Sequence, residues 1–209
     1  MYARNLLLAL AVTASLTPVA ASAATITLTA TLRDFKDDHP DFEGGISGLV
    51  TGLVDATLTG DAPTLAVAGY APAAKGSTAS GAIKDAASFA QWYDDVAGVN
   101  IMSSLDITLD DSATPGTFTF ADSSFFPLDG LGFGNQGRGH NFHFTLELTS
   151  DFTYMPGQTF TFTGDDDLWV YINDELVIDI GGVHGAASDS VDLDTLGLTA
   201  GETYSFDLF

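Results

Sequence analysis

The sequence predicts an all-β protein, an antiparallel β-sandwich with one short helix, and two observations support this prediction. Short runs in which apolar residues alternate with Thr or other polar residues recur along the chain, a pattern typical of half-buried strands. The chain is also rich in β-forming and turn-forming residues, with 15 Phe and 22 Gly. We find neither internal repeats nor a second domain.

Alternation or apolar character marks seven strand positions. The segment 168–172 is apolar nearly throughout, which predicts a strand buried on both faces. It is followed by Asn173-Asp174-Glu175, a turn signal that predicts a hairpin with the next strand. The predicted strands are 25–32, 117–120, 142–148, 160–162, 168–172, 176–180 and 204–209.

One helix is predicted near residues 87–97. Phe89, Trp92, Tyr93 and Val96 are spaced as an apolar stripe on one helix face, and we interpret the stripe as core. In this interpretation, Ser88 caps the start of the helix, and Gly98 ends it. The segment 61–81 is rich in Ala, Gly, Ser and Pro, which predicts a loop or loose insertion.

The first 23 residues have the features of a secretory signal peptide. The single charge of Arg4 precedes an apolar run at 6–12, and Ala21-Ser22-Ala23 is a small-x-small cleavage site. The run is too short to span a bilayer, which needs roughly 20 apolar residues. We therefore expect cleavage after Ala23, a secreted or cell-surface protein that does not span the membrane, and one mature domain over 24–209.

The charge balance restricts the possible partners. The net charge is −22, with 28 acidic residues against 6 Lys and Arg, so the surface repels nucleic acid. The chain has no Cys, which excludes disulfides and thiol chemistry. After Lys84 the only Lys or Arg is Arg138, so most carboxylates in that part face solvent or a metal.

A cluster of carboxylates lies between two predicted strands, at Asp165, Asp166 and Asp167. Adjacent carboxylates near a protein surface repel one another by roughly 1 kcal/mol or more per close pair, and a bound cation removes this repulsion. Calcium takes six to eight oxygen ligands and suits such a cluster, although the spacing is not that of an EF-hand. The alternative is an acidic turn that only faces water.

A second segment, Asp179 to Gly185, completes the predicted site. Its glycines would let the backbone approach an ion or a sugar closely. Asp179 ends its predicted strand, and His184 follows in the loop. A lone loop histidine is more often a hydrogen-bonding group than a metal ligand.

These segments carry a family resemblance. The run 161–173, followed by 176–185, resembles the fibro-slime domain family, as do 33–35, 39–43, 91–93, 125–130 and 140–144. The resemblance covers essentially the whole mature chain and implies an extracellular matrix or surface protein. It also implies that the family pattern continues beyond Phe209, so that the domain is incomplete at its C-terminus. The final strand at 204–209 needs a partner, so either the sequence is a fragment or the edge of this strand is covered in another way.

The same run is similar to the wider protective-antigen type β-sandwich, a jelly-roll-like fold. Lectin members of that group bind calcium with an Asp-Asp pair joined by a cis peptide, and the calcium binds sugar hydroxyls. The resemblance places this pair on Asp165 and Asp166. We predict metal ligands at Asp165, Asp166, Asp167 and Asp179, and carbohydrate contacts at Asp165, Asp166, Asn173 and His184. Asp167 departs from the small residue usual there.

Three function classes follow. The first is a calcium-dependent carbohydrate-binding adhesion module, whose partner is an extracellular glycan or matrix polysaccharide. The second is a structural matrix protein that uses calcium only for stability. Exposed aromatic side chains beside the Asp cluster would favour the first class, and their absence the second.

The third class, an enzyme, has little support. Adjacent carboxylates suit a glycosidase poorly, and a hydrolase triad of Ser188, His184 and Asp192 would lack the usual nucleophile motif. The sequence leaves the oligomeric state open.

Overall fold

A computed structural model describes residues 8–13, 23–42, 48–66 and 83–209 of the chain. The predicted signal peptide and the predicted loop at 61–81 lie largely outside the described residues. Every strand pair among the described residues is antiparallel, and the chain there is nearly all β with one short α-helix. The predicted fold class is therefore confirmed.

Among the described residues, ten strands lie in one continuous order, β8-β7-β10-β5-β2-β3-β4-β1-β6-β9. Strands predicted from alternation are all present, and β2 extends three residues beyond its predicted end. The strands are β1 Leu8–Thr13, β2 Thr25–Phe35, β3 Asn100–Asp110, β4 Thr117–Asp122, β5 Phe144–Thr153, β6 Thr159–Gly164, β7 Leu168–Ile172, β8 Glu175–Ile180, β9 Ala187–Asp192 and β10 Thr203–Leu208.

The sheet folds over on itself, so that strands distant in this order pack face to face. Phe162 of β6 stacks on Phe206 of β10 with ring centroids 5.9 Å apart. Phe160 of β6 meets Phe152 of β5 edge-on at 5.2 Å. These rings belong to one apolar core to which β2 through β10 all contribute. This core is the interior of the sandwich.

Strand β7 is buried on both faces, as its composition predicts. Its alternate residues Leu168, Val170 and Ile172 enter the sandwich core. Trp169 and Tyr171 point the other way, into a second apolar cluster formed with residues of 53–65, the helical region and Phe209. The second cluster explains why β7 shows no alternation, because neither of its faces meets water.

The helix is shorter than its apolar stripe predicts. It spans α1 Ala86–Ala90, and its cap is Asp85, whose side chain accepts from the N–H of Ser88. The predicted extent to residue 97 and the cap at Ser88 are wrong. The side chain of Asn100 donates to the carbonyls of Gln91 and Asp94 and holds the following residues in turns instead. The apolar stripe itself is core, because Phe89, Trp92 and Tyr93 pack in the second cluster.

The predicted hairpin joins β7 to β8 through Asn173 and Asp174. Both residues have positive φ, 51° and 66°, which is the conformation of a two-residue type I′ turn. The final strand, β10, has partners on both sides, β5 and β7. Both edges of this strand are therefore covered by neighbouring strands, which is the second of the two alternatives that the sequence left open.

Strand β1 falls within the predicted signal peptide. Its backbone lies between β4 and β6 and is antiparallel to both. Within the described ranges, no helix has the length and apolar character needed to cross a bilayer.

Candidate functional site

The acidic turn, Asp165 to Asp167, joins the end of β6 to the start of β7. The turn is tight, because a Cβ at Gly164 would lie 3.0 Å from the carbonyl oxygen of Asp166 and 3.0 Å from Cβ of Leu168. All three Asp residues are half-buried. Gly164 thus lets the chain turn sharply while the three carboxylates stay in one short segment.

The loop after β8 lies directly against the acidic turn. Pairing of Leu168 with Ile180 brings the chain that leaves β8 beside the chain that enters β7. The N–H of His184 donates to Oδ1 of Asp166 at 2.7 Å, and the N–H of Gly182 donates to Oδ1 of Asp167 at 2.5 Å. The structure therefore brings together the two segments that the sequence analysis combined into one site.

A third segment, residues 48–53, completes this arrangement. The N–H groups of Gly48 and Val50 donate to the carbonyls of Val183 and Gly181, at 3.0 and 2.7 Å. The N–H of Gly52 donates to Oδ2 of Asp179 at 2.7 Å. The sequence analysis missed this segment, because more than 120 residues separate it from Asp179 and no motif connects the two.

The glycines of the loop make room for this third segment. A Cβ at Gly181 would lie 2.7 Å from the carbonyl oxygen of Val50, and one at Gly182 would lie 2.5 Å from that of Gly48. Gly182 also has a φ of +94°, which L side chains rarely adopt. The close approach that the sequence predicted is therefore to another stretch of backbone.

Asp179, near the end of β8, contacts the buried side chain of Trp169. Its Oδ1 accepts from the indole N–H of Trp169 at 3.1 Å, opposite it on β7. Its Oδ2 accepts from the N–H of Gly52, so both oxygens of this carboxylate are hydrogen-bonded. Asp179 thus connects the acidic turn region to the second apolar cluster, in which Trp169 is fully buried.

His184 is buried, with 5% of its surface exposed. Its Nδ1 lies 2.6 Å from the carbonyl oxygen of Gly185, and its Nε2 lies 3.2 Å from that of Ile180. Both ring nitrogens face backbone oxygens, so the ring orders the loop. The predicted alternative, a hydrogen-bonding histidine, fits this geometry better than a metal ligand does.

Burial and mutual repulsion make the negative charges of this region unfavourable. Loss of hydration raises the pKa of Asp167 from 3.8 to about 6, although the Gly182 N–H and the charge of His184 oppose the rise. The neighbouring Asp179 raises the pKa of Asp167 further. Burial also raises the pKa values of Tyr93 and Tyr171, with contributions from Asp167 and Asp179 respectively. A cation at this position would relieve the unfavourable charge.

Two predicted features are not found at the site. Asn173 lies at the opposite end of β7, about 20 Å from Asp167 along the strand, so it cannot share a ligand with the acidic turn. The described chain also contains no cis peptide bond, so the Asp165–Asp166 bond is trans and the cis pair implied by the lectin resemblance is absent.

The predicted metal ligands do not all lie close to one another in the structure. Among the residues that the structure describes, no three His, Asp or Glu side chains come together closely enough to hold an ion alone. The donors are nevertheless of the hard oxygen type that calcium prefers. Each hydrogen bond to Asp166 and Asp167 uses one lone pair, and a carboxylate offers about four. Backbone carbonyls or a bound glycan would have to complete the shell.

The residues of the alternative hydrolase triad do not form one. The ring of His184 contacts two carbonyls, as described above. The hydroxyl of Ser188 lies 2.7 Å from that of Thr163, and Asp192 caps a 3₁₀ turn by accepting from the N–H of Asp194 at 3.0 Å.

Two other carboxylates, outside the acidic turn, are buried. Asp41, 3% exposed, accepts from the indole N–H of Trp92 at 3.0 Å, the hydroxyl of Ser88 at 2.8 Å and the N–H of Lys84 at 2.8 Å. Asp34, equally buried, accepts from the side-chain amide of Asn141 and the N–H of Phe133. These carboxylates are surrounded by donors, and they hold loops in place.

Comparison with known proteins gives a match over the part of the chain that carries the site. Residues 141–209 match the PA14 domain. This match includes β5 to β10, the acidic turn and the loop after β8. PA14 is a β-sandwich domain of carbohydrate-binding type, and the match covers about one third of this chain. It corresponds to the wider, protective-antigen type resemblance, and the narrower fibro-slime assignment stays a prediction.

The chain is also similar to proteins of the social amoeba Dictyostelium discoideum. Protein psiD is 39% identical over 194 residues, which cover 88% of this chain and 38% of psiD. Protein psiQ is 40% identical over 176 residues, or 78% of this chain and 17% of psiQ. Protein psiE is 35% identical over 206 residues, or 90% of this chain and 41% of psiE. The chain thus spans less than half of each of these relatives. No solved structure matches.

Proposed function

We propose that this protein is a secreted or cell-surface module that binds carbohydrate in a calcium-dependent manner and acts in adhesion. The observation that carries the proposal is the acidic turn at Asp165 to Asp167, packed against the loop at Gly181 to His184 within the region that matches PA14. The partner is an extracellular glycan or matrix polysaccharide, and no catalytic step is part of the proposal.

Charge supports a cation at the turn. Arg33, Lys84 and Arg138, the basic residues with ion pairs in the described part of the chain, pair with carboxylates elsewhere. His184 lowers the pKa of Asp167, but loss of hydration outweighs this effect and the pKa of Asp167 is still raised. A divalent ion would offset the repulsion among Asp165, Asp166, Asp167 and Asp179.

Calcium is the ion whose ligand preference fits these residues. Asp166 and Asp167 would supply carboxylate oxygens, Asp165 and Asp179 would have to move closer to contribute, and loop carbonyls would add further oxygens. When bound, calcium supplies open coordination positions that sugar hydroxyls can occupy. The chain's own residues orient those positions through the two N–H bonds that hold Asp166 and Asp167 against the loop.

One observation favours the alternative of a structural matrix protein with calcium used for stability. The large apolar side chain exposed beside the loop is Leu49, 60% exposed, and the aromatic residue behind the site, Trp169, is fully buried. A lectin commonly stacks sugar on an exposed aromatic ring. The experiment must therefore separate sugar binding from calcium binding.

The test compares Asp166→Asn with Asp189→Asn on a glycan array, with calcium and with chelator. Asparagine keeps an acceptor for the His184 N–H, so the loop should stay folded while the site loses one charge. Asp189 lies exposed on neighbouring β9 and serves as the control for net charge. We expect glycan binding by the parent and by Asp189→Asn in calcium only, and at least tenfold weaker binding by Asp166→Asn.

The possible results separate the two functions. Calcium-dependent stabilisation without binding to any glycan would favour the structural matrix protein. Glycan binding that survives chelation and Asp166→Asn would place the sugar elsewhere and contradict the proposal.

A further inference from the structure

The predicted cleavage point lies beside a buried carboxylate. Strands β2 and β3 pair from Thr25 opposite Asp110, and the next residue on each side continues the contact. The N–H of Ala24 donates to Oδ1 of Asp111 at 2.6 Å, and the N–H of Asp111 donates to the carbonyl of Ala24 at 3.2 Å. Ala24 is the residue at which the exported chain would begin.

Asp111 is held in place from its other side. Its Oδ2 accepts from the N–H of Gly116 at 3.1 Å, within the turn that joins β3 to β4. The residue is 7% exposed. None of the ion pairs among the described residues includes Asp111, so its charge is balanced there only by backbone N–H groups.

We propose that Asp111 is the binding site for the new N-terminus that export creates. Hydrolysis of the Ala23–Ala24 bond by a leader-peptide hydrolase consumes one water molecule. Ala23 keeps the carboxylate, and Ala24 gains an amine that takes up a proton at neutral pH. The nitrogen that donates to Asp111 in the uncleaved chain then carries a positive charge, and a hydrogen bond from a neutral N–H becomes an ion pair with a buried carboxylate.

The proposal explains the burial of a carboxylate without a basic side chain as its partner. A buried carboxylate is costly unless it is paired, and the pair here forms only after processing. The position is also selective, because cleavage one residue earlier or later would move the ammonium by about 3.8 Å, beyond hydrogen-bond distance. Asp111 thereby fastens the first residue of β2 to the end of β3.

The inference rests on the proposed export and needs neither calcium nor sugar, so its failure is distinguishable from failure of the carbohydrate site. The full chain is expressed with export, and the N-terminus of the secreted product is sequenced. The rate of acylation of the α-amine near neutral pH is then measured by mass spectrometry of the N-terminal peptide. Lys84, whose side chain is 62% exposed, provides the internal reference.

An amine held by a carboxylate stays protonated and acylates slowly. We expect the parent to label at least threefold more slowly at Ala24 than the exported Asp111→Asn variant, with equal labelling of Lys84. The matched control is Asp110→Asn, whose carboxylate bonds to Ser112 instead, and it should label like the parent. A secreted product that begins elsewhere than Ala24, or equal rates in parent and Asp111→Asn, would overturn the proposal.

A second variant keeps the test decisive if Asp111→Asn is not secreted. A chain that carries one additional residue after the cleavage point begins one position earlier, so its ammonium lies away from Asp111. It should label at least threefold faster than the parent. Labelling at the parent's rate would show that Asp111 does not hold the amine.

Discussion

Two groups of buried or half-buried carboxylates in this protein differ in how their charge is satisfied. Asp41 lies alone beneath the helical region and accepts from three donors on three different residues. In the acidic turn, three Asp residues are adjacent, and Asp166 and Asp167 each take an N–H from the loop. Loss of hydration and the nearby Asp179 raise the pKa of Asp167, even with His184 close by. The carboxylate of Asp41 is buried among donors, whereas those of the acidic turn lie beside one another, and such crowding favours binding of a cation.

The largest effect is expected at Asp41. Asp41→Ala leaves the indole N–H of Trp92, the hydroxyl of Ser88 and the N–H of Lys84 without this acceptor, so we expect destabilisation by about 3–5 kcal/mol. Asp38→Ala, at an exposed position three residues away, should change stability by less than about 0.5 kcal/mol. Urea unfolding measures both. Equal stabilities of the two variants would show that the Asp41 donors are satisfied by water.

The next effect concerns the glycine that lets the loop approach residue 48. Gly182→Ala forces a positive φ on alanine and brings a Cβ against the carbonyl of Gly48. We expect a loss of about 2–4 kcal/mol of stability, together with loss of calcium binding. Gly185→Ala is the control, because a Cβ there meets nothing within 4 Å. If Gly182→Ala bound calcium like the parent, the loop would not be part of the ion site.

Calcium should stabilise the protein through the acidic turn and not through Asp41. Extracellular calcium modules have dissociation constants of about 10⁻⁴–10⁻³ M, and an ion at 100 times that value stabilises the native state by about 2.7 kcal/mol. Thermal melts in calcium and in chelator should differ by several degrees for the parent and for a destabilised variant at Asp41. Superimposable melts, with no heat of binding in calorimetry, would remove calcium from the proposed function.

The smallest effect is the pH dependence of Asp167. Its pKa is about 6 in the folded protein and 3.8 when unfolded, so the folded state binds the proton more tightly between these values. Stability from this group is therefore gained as pH falls towards 4 and lost as pH rises through 6. Partial exposure screens the effect, and Asp167→Asn should be more stable than the parent by about 1–2 kcal/mol at pH 7.5 without calcium.

The comparison of parent and Asp167→Asn is made by urea unfolding at several pH values. The difference between them should shrink as the pH falls to 4.5, because the parent carboxyl is then protonated. It should also shrink in calcium. A difference that stays constant from pH 4.5 to 7.5 would mean that Asp167 does not titrate in this range.

The sequence predicted strands well where composition and turn signals agreed. Strand β7 was predicted with its observed bounds, because five apolar residues stand between an acidic turn and Asn173-Asp174. Strand β9 was missed, because its sequence is mostly Ser, Asp and Ala and buries only Val191. The helix was predicted too long, because Trp92 and Tyr93 are buried from turns that follow the helix.

The candidate site was predicted only in part, for a physical reason. Local signals identified the acidic turn and the glycine-rich loop, and the β7–β8 hairpin brings these two together. The segment at 48–53 reaches them through backbone N–H groups, and any residue type can supply an N–H. For the same reason the sequence could not reveal that Gly181 and Gly182 make room for a neighbouring chain segment.

The position of β10 has a consequence for how the protein folds. This strand, almost the last part of the described chain, lies in the interior of the sheet between β5 and β7. Strands β5 and β7 are joined in the sheet only through β10, so this part of the sheet forms only when residues 203–208 pair with both. These contacts join parts of the chain that are far apart in sequence. Folding that depends on such contacts is slow, and its barrier is mainly the entropy of closing long loops.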